Sequence, residues 1–354
     1  MTELIPIQKN STPKVKPSPQ QLGFGKYFSD HMYSVKYQST KGWYSAQITP
    51  YAPLQIDPGA SVLHYGQALF EGMKAFRQIN GDCVLFRPQF NWKRLCEGAD
   101  RLCMQAPPME MMIEGVHQLV RLEKDWIPEE KGSSLYIRPT LIGTESFLGV
   151  RPSEEYLFFV ICSPVGSYYT EGSAPIKIWV EDQYLRASPG GLGATKAGAN
   201  YAASLKAAQL AKKKGYAQVL WQDVNHQYIE EVGTMNVFFV IGDEIITPEL
   251  DGSILPGGVR DCAMTLLKDK GYRVSERKLA KQEIIDAHQS GQLKEAFGTG
   301  TAAVISPIGD LGSNTFNIKI NDSKIGPVAT WLYEEITAIQ YGEKPDPYGW
   351  TIKI

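Results

Sequence analysis

The sequence predicts an α+β protein of two domains, and three observations carry that prediction. At 354 residues the chain is longer than one ordinary hydrophobic core supports and suits two domains of roughly 150 to 200 residues each. Strand-like and helix-like segments are mixed through both halves, without the steady strand–helix alternation of a doubly wound parallel sheet. The composition, 43% hydrophobic and 21% charged with a formal net charge of -2, is that of an ordinary globular chain rather than a disordered or fibrous one.

Taken in order, MTELIPIQKNSTPKVKPSPQ is rich in Pro, Ser and Lys and has no apolar run that could act as a signal peptide, so 1–20 reads as a mobile arm. A small domain is expected over 21–167. Within it KAFRQINGDCVLF reads as two strands joined at Asn80 and Gly81, a pair that readily takes the positive φ of a tight turn. Pro88 suits a first helical turn, and Trp92, Leu95, Ala99 and Leu102 recur at helical spacing, which sets Arg94 near the amino end of that helix. A second amphipathic helix covers 109–124, with Met112, Val116 and Leu119 on one face. SLYIRPTLIG and EYLFFVICSPVG read as strands, being rich in β-branched and aromatic residues.

A connector is expected at 168–178 and a larger domain at 179–354. Beyond the connector, IKIWV reads as a strand and GGLGATKAGANYAAS as a loop opening a helix that runs to Lys214. AQVLWQD and TMNVFFVIG read as hairpin partners. GSILPGGVRDCAMTLLKDKG runs from strand through a Gly-Gly corner into a helix that ends at Gly271, with Val259, Cys262, Ala263 and Leu266 on its apolar face.

Several function classes are disfavoured. The sharpest basic run, Lys212 to Lys214, falls just before Gly215, where cations suit a helix C-terminus. No wider basic surface accompanies it, so nucleic acid is not an expected partner. Five cysteines (Cys83, Cys96, Cys103, Cys162 and Cys262) form no CxxC pair and have no zinc-like spacing with the five histidines, so no metal is expected and a reducing cytoplasm is the simplest home. The longest apolar strip, LFFVIC, is far too short to cross a bilayer.

The chemistry concentrates around Lys196, a long cation set among Gly, Ala and Thr rather than in a polar run. A lone loop lysine is usually solvated, but this one has useful company. A lysine of lowered pKa forms Schiff bases with aldehydes, and a phosphorylated pyridoxal aldehyde also needs an anion corner, a phenol and a carboxylate. LPGGVR at 255–260 opens a helix and suits a phosphate, although it also fits a plain turn and cap. FGTGTAA at 297–303 lacks the Lys of a P-loop and does not match GxGxxG. By themselves Tyr201 reads equally as a core aromatic, Glu230 and Glu231 as a solvated pair, and Arg94 as a solvent-facing helix residue.

Eight stretches decide among these readings when taken together. HYGQALFEGMKAFR, LFRPQFNWKRL, LYIRPT, SPVGSYY, YLRASPGGLGATKAGANY, EEVGTMNVFF, ILPGGVR and GTGTAA, in this order over almost the whole chain, resemble the branched-chain amino-acid aminotransferases, pyridoxal-phosphate enzymes of fold type IV. The resemblance implies pyridoxal 5'-phosphate as cofactor and Lys196 as the Schiff-base lysine that also moves the proton between substrate Cα and cofactor C4′. It sets Tyr201 against the O3′ oxygen, Arg186 as a supporting residue, and Glu231 against the pyridine nitrogen, where a carboxylate keeps that nitrogen protonated. Arg94, the Gly258 and Val259 backbone and Thr301 are the implied phosphate contacts. Tyr136, Thr301 and Ala302 would bind the substrate α-carboxylate. Tyr65, Phe70 and Tyr168 would line the side-chain pocket, with Thr234 nearby and Leu148 reaching in from a partner subunit.

Such an apolar wall selects branched side chains by burial, at about 0.8 kcal/mol per methylene. Arg138, two residues beyond Tyr136 and so on the same strand face, is implied to receive the distal carboxylate of glutamate. The implied activity is ping-pong transfer of the amino group of L-leucine, L-isoleucine or L-valine to 2-oxoglutarate by a homodimer. A D-amino-acid aminotransferase or an aminodeoxychorismate lyase of the same fold would share the lysine and glutamate. A non-catalytic vitamin-binding protein would share the pocket without turnover.

Overall fold

The computed structural model describes residues 5–166 and 175–354. The chain divides into two compact units: Met1–Tyr168 with Thr195–Gly198 and Ala338–Ile354, and Tyr169–Ala194 with Ala199–Thr337. The elements run β1 (His31–Gln38), β2 (Gly42–Pro50), α1 (Ser61–Tyr65), β3 (Ala68–Phe70), β4 (Met73–Arg77), β5 (Cys83–Phe86), α2 (Pro88–Arg101), α3 (Met109–Leu122), β6 (Ser134–Gly143) and β7 (Glu155–Val165). They continue as β8 (Ile176–Val180), α4 (Gly198–Lys213), β9 (Gln218–Gln222), β10 (Ile229–Val232), β11 (Met235–Ile241), β12 (Glu244–Thr247), α5 (Gly258–Asp269), β13 (Arg273–Glu276), α6 (Lys281–Gln289), β14 (Leu293–Gly300), β15 (Val304–Gly312), β16 (Asn317–Lys319), α7 (Pro327–Gln340) and β17 (Thr351–Lys353).

The first unit is built on an antiparallel sheet in the order β17-β5-β4-β6-β7-β1-β2, with β3 added beside β6. The expected hairpin is present. Arg77 pairs with Cys83, and Gly81 takes φ 85° in the turn, a value an L side chain rarely adopts. Helix α3 buries Met112, Val116 and Leu119 completely, as its spacing predicts. Helix α2 turns Asn91, Arg94, Leu95, Gly98 and Ala99 inward, so Arg94 lies on the buried face and not toward solvent.

The second unit carries a mixed sheet in the order β10-β9-β8-β15-β14-β11-β12-β13. Because β10 also pairs with β11, six strands close into a ring, and β12 and β13 continue the sheet beyond it. Alternation along β9 explains two cores: Leu220 joins Val237, Phe239 and Ile308, while Val219 and Trp221 pack with Ala207 and Ala211 of α4.

Two expectations are revised, and two segments gain detail. AQVLWQD and TMNVFFVIG are not direct partners, because β10 lies between them and pairs with each; its sequence, Ile-Glu-Glu-Val, conceals a strand in two acidic residues. The GSIL segment is a series of bends rather than a strand. In the described part of the amino-terminal arm Gln8 N donates to Ile48 O and Ile48 N to Pro6 O, both at 2.9 Å, and Asn10 N donates to His31 Nε2 at 2.7 Å. Finally, Lys196, expected in the C-terminal domain, counts with the first unit, where Phe70 N donates to Lys196 O at 3.2 Å and Ala197 bridges Leu69. The start of the expected connector, with Tyr168, lies outside the described residues.

Candidate active site

In the first unit, β3 and the segment that carries Lys196 set its ammonium 4.9 Å from the Phe70 ring centroid. Lys196 as a residue is half-buried. Even so, burial first and the positive charge of Arg94 second lower its amine to about 8, against the opposing pull of Glu71. Glu71 directly follows β3 and is fully buried. Arg94 reaches it from α2 with two charge-assisted bonds, Nε to Oε1 at 2.8 Å and Nη2 to Oε2 at 2.7 Å, and Asn91 Nδ2 adds a third at 2.7 Å. Burial alone would raise the Glu71 carboxyl, but Arg94, Lys196 and Asn91 together bring it below the usual carboxylate value.

Strand β6 presents Tyr136 and Arg138 on one face, as the two-residue spacing predicts. Arg138 Nη2 donates to Tyr136 Oη at 3.1 Å, and its guanidinium lies 4.7 Å from the Phe70 ring centroid. This group thus holds three cations, Arg94, Arg138 and Lys196, against one carboxylate, Glu71. Such a surplus of positive charge favours an anionic ligand. Tyr65 and Leu148 are both exposed, and the Tyr65 hydroxyl donates to Leu148 O.

In the second unit, β10 carries Glu231 opposite Asn236 of β11. Glu231 accepts from Leu255 N at 2.7 Å and pairs with Arg186 Nε at 2.9 Å, both side chains being nearly inaccessible. The remaining Arg186 nitrogens stitch the lysine loop to the 251–255 segment: Nη1 donates to Ser253 O at 2.7 Å and Nη2 to Gly193 O at 3.0 Å. A Cβ on Gly193 would overlap the Ser253 carbonyl, so only glycine permits this approach. Gly258 and Val259 form the first turn of α5, where amides and helix dipole favour an anion. Thr301 and Ala302 form the turn between β14 and β15, Tyr201 is half-buried in the first turn of α4, and Thr234 is exposed in the turn between β10 and β11.

The structure thus brings Lys196, Arg94, Phe70, Tyr136 and Arg138 together in one unit, and Arg186 with Glu231 in the other; Tyr168 lies outside the described residues. Sequence reasoning missed Glu71, although it stands in the FEG of a quoted stretch; a carboxylate beside an apolar strand, followed by an inward helical arginine, was its available signal. It also missed Lys74, 6% exposed on β4 opposite Tyr136, whose ammonium burial lowers to about 8. Among the described residues no cluster of His, Cys, Asp and Glu could hold a metal ion, and no helix is long and apolar enough to cross a membrane.

Residues 68–311 match the family Amino-transferase class IV, and the chain belongs to that family. Its curated relatives are narrower in kind. It is 51% identical to branched-chain-amino-acid aminotransferase 2 of Bacillus subtilis, over 99% of this chain and 97% of that one. It is 48% identical to branched-chain-amino-acid transaminase 1 of the same organism, over 100% of both. Among solved structures, the branched-chain amino acid aminotransferase of Escherichia coli superposes with TM-score 0.74 at 26% identity, covering 91% of this chain and 98% of that one. The T.th. branched-chain amino acid aminotransferase, solved with pyridoxamine 5'-phosphate, superposes with TM-score 0.75 at 25% identity, covering 90% and 97%.

Proposed function

We propose that the chain is a branched-chain-amino-acid aminotransferase that moves the amino group of L-leucine, L-isoleucine or L-valine to 2-oxoglutarate with pyridoxal 5'-phosphate as cofactor. The observation that carries this is Lys196, its amine lowered to about 8 within a group of three cations and one carboxylate, in a chain 51% identical over almost its whole length to a branched-chain-amino-acid aminotransferase. The surplus positive charge fits a phosphate and a substrate carboxylate, so the residues present suit the cofactor.

When bound, pyridoxal phosphate supplies an aldehyde for the amine and a ring that withdraws electrons from Cα. Lys196, its amine lowered to about 8, would provide the amine in a larger uncharged fraction than an ordinary lysine and then the base for the proton at substrate Cα. Arg94, oriented by Glu71, would hold the phosphate together with the corner of Gly258, Val259 and Thr301. Tyr201 would steady O3′, and Glu231, fixed by Arg186, would meet the pyridine nitrogen. Tyr136, with Thr301 and Ala302, would hold the α-carboxylate, and Arg138 would receive the distal carboxylate of glutamate. Tyr65, Phe70, Tyr168 and Thr234, with Leu148 from a second copy, would form the side-chain wall. The homodimer and a cytoplasmic setting belong to the same proposal; five free cysteines support the latter.

The test is the absorption spectrum of protein reconstituted with pyridoxal phosphate, before and after L-leucine, beside Lys196→Ala. A cofactor band that moves to the pyridoxamine form in wild type and not in the variant is expected. A band that responds only to a D-amino acid would remove the substrate assignment, and absence of any band would remove the cofactor.

A further inference from the structure

The residue before Glu231 has no part in the function proposed above. Glu230 is 3% exposed; its Oε1 lies 2.5 Å from Ser253 Oγ, and its buried Oε2 has no hydrogen-bond partner among the described residues. The same Ser253 Oγ lies 2.6 Å from Asp251 Oδ1. A hydroxyl carries one proton, so it can donate to only one of these carboxylates. The other contact would set two lone pairs face to face unless one carboxyl also carries a proton.

That proton belongs on Glu230. Asp251 is exposed, and its Oδ1 also accepts from Ser253 N at 2.9 Å, so solvent and a backbone amide already reach that carboxyl. Glu230 is buried with one oxygen unsatisfied, a costly place for a carboxylate. Burial raises its carboxyl to about 7 against the Ser253 bond, with Asp251 and Glu231 raising it further and Arg186 opposing. A cavity of about 170 Å³ beside it is lined also by Asp223, Glu249 and Lys278. The connection to Glu231 runs through Ser253, whose carbonyl holds Arg186 at 2.7 Å.

We propose that Glu230 is a protonated positioning residue: its O–H donates to Ser253, the Ser253 hydroxyl donates to Asp251, and the pair of bonds fixes the Ser253 carbonyl that seats Arg186 against Glu231. This rests on the reading of Glu231 as the partner of the pyridine nitrogen. Loss of the Glu230 proton leaves Ser253 to choose between two carboxylates and brings a second negative charge close to Arg186. The pull of Arg186 is then divided, and the charge presented by Glu231 changes.

The test is ¹³C NMR of apoprotein labelled at glutamate Cδ, titrated with pH in wild type and Glu230→Gln, with the pH dependence of the reconstituted cofactor spectrum as second readout. One carboxyl titrating near 7, against about 4.3 for an ordinary glutamate, is expected in wild type and lost in Glu230→Gln. The variant, which keeps a donor toward Ser253, should show the wild-type low-pH spectrum at every pH. Glu230→Ala, lacking the donor, should bind pyridoxal phosphate about tenfold more weakly. If no glutamate titrates above about pH 6, or if the spectral transition persists in Glu230→Gln, the proposal is wrong. The wild-type titration decides the protonation even if a variant fails to fold. A Glu231→Gln protein with an unaltered cofactor spectrum would instead remove the role of Glu231, while the Glu230 resonance would still report its proton.

Discussion

Lys196 and Lys74 share an unusual state, since burial lowers both amines to about 8 from the ordinary 10.5. For Lys196 the consequence is kinetic. Apoprotein should capture pyridoxal phosphate at a rate that rises with pH and levels above about 8, and Arg94→Gln, by removing a neighbouring cation, should move that midpoint upward. For both lysines there is also a thermodynamic consequence. Between about 8 and 10.5 the unfolded chain binds more protons than the folded one, so the stability of the apoprotein should rise with pH through that window. Urea titrations of wild type, Lys74→Met and Lys196→Met will show the slope reduced in each variant, or will contradict the assignment. Glu71 bears on stability differently. Its removal leaves Arg94 buried without its carboxylate, and breaking a buried pair costs about 3–5 kcal/mol, so Glu71→Ala should lose that much in denaturant unfolding.

Among the elements, the link between β3 and β4 and the start of α7 show how single residues fix geometry. Gly72 follows Glu71, and a Cβ there would overlap the Tyr136 hydroxyl. Gly72→Ala should therefore displace the phenol, raising KM for the amino acid several-fold while cofactor affinity, titrated spectroscopically, changes little. Helix α7 starts on a carboxylate from β14: Glu295 accepts from Val328 N and Ala329 N, each at 3.0 Å. Amides of a first helical turn need such partners, so Glu295→Ala should cost about 1–2 kcal/mol, read as a lower Tm. An unchanged Tm would mean that another group takes over the cap.

For the whole molecule, the first unit carries a group of exposed apolar side chains. Leu63, Phe147, Leu148 and Val150 are 59%, 44%, 65% and 86% exposed, and the two segments that carry them are joined by a bridge between Ala60 and Ser146. Apolar groups exposed in this way mark association surfaces, in keeping with the proposed homodimer. Sedimentation equilibrium should give twice the mass of one chain, and Val150→Asp should shift the protein toward monomer. A wild type that sediments as one chain at micromolar concentration would contradict the dimer.

Local features were legible in the sequence because neighbouring residues alone produce them. The Asn80-Gly81 turn, the spacing of Met112, Val116 and Leu119, the alternation that sets Tyr136 beside Arg138, and the Gly-Gly corner before α5 all follow from turn chemistry and periodicity. Lys196 was marked by its small neighbours, and family resemblance in eight stretches supplied the class of chemistry. Only tertiary structure decided which charges are buried together. Glu71 and Arg94 lie 23 positions apart, and neither residue type reads as buried until the other is in place. Strand β10 escaped notice for the same reason, since Glu230 and Glu231 are tolerable inside only because Ser253, Leu255 and Arg186 reach them. Closure of six strands into a ring depends likewise on pairings distant in the chain. Composition and period are properties of a segment, whereas the cost of burying a charge depends on what the rest of the fold brings to meet it.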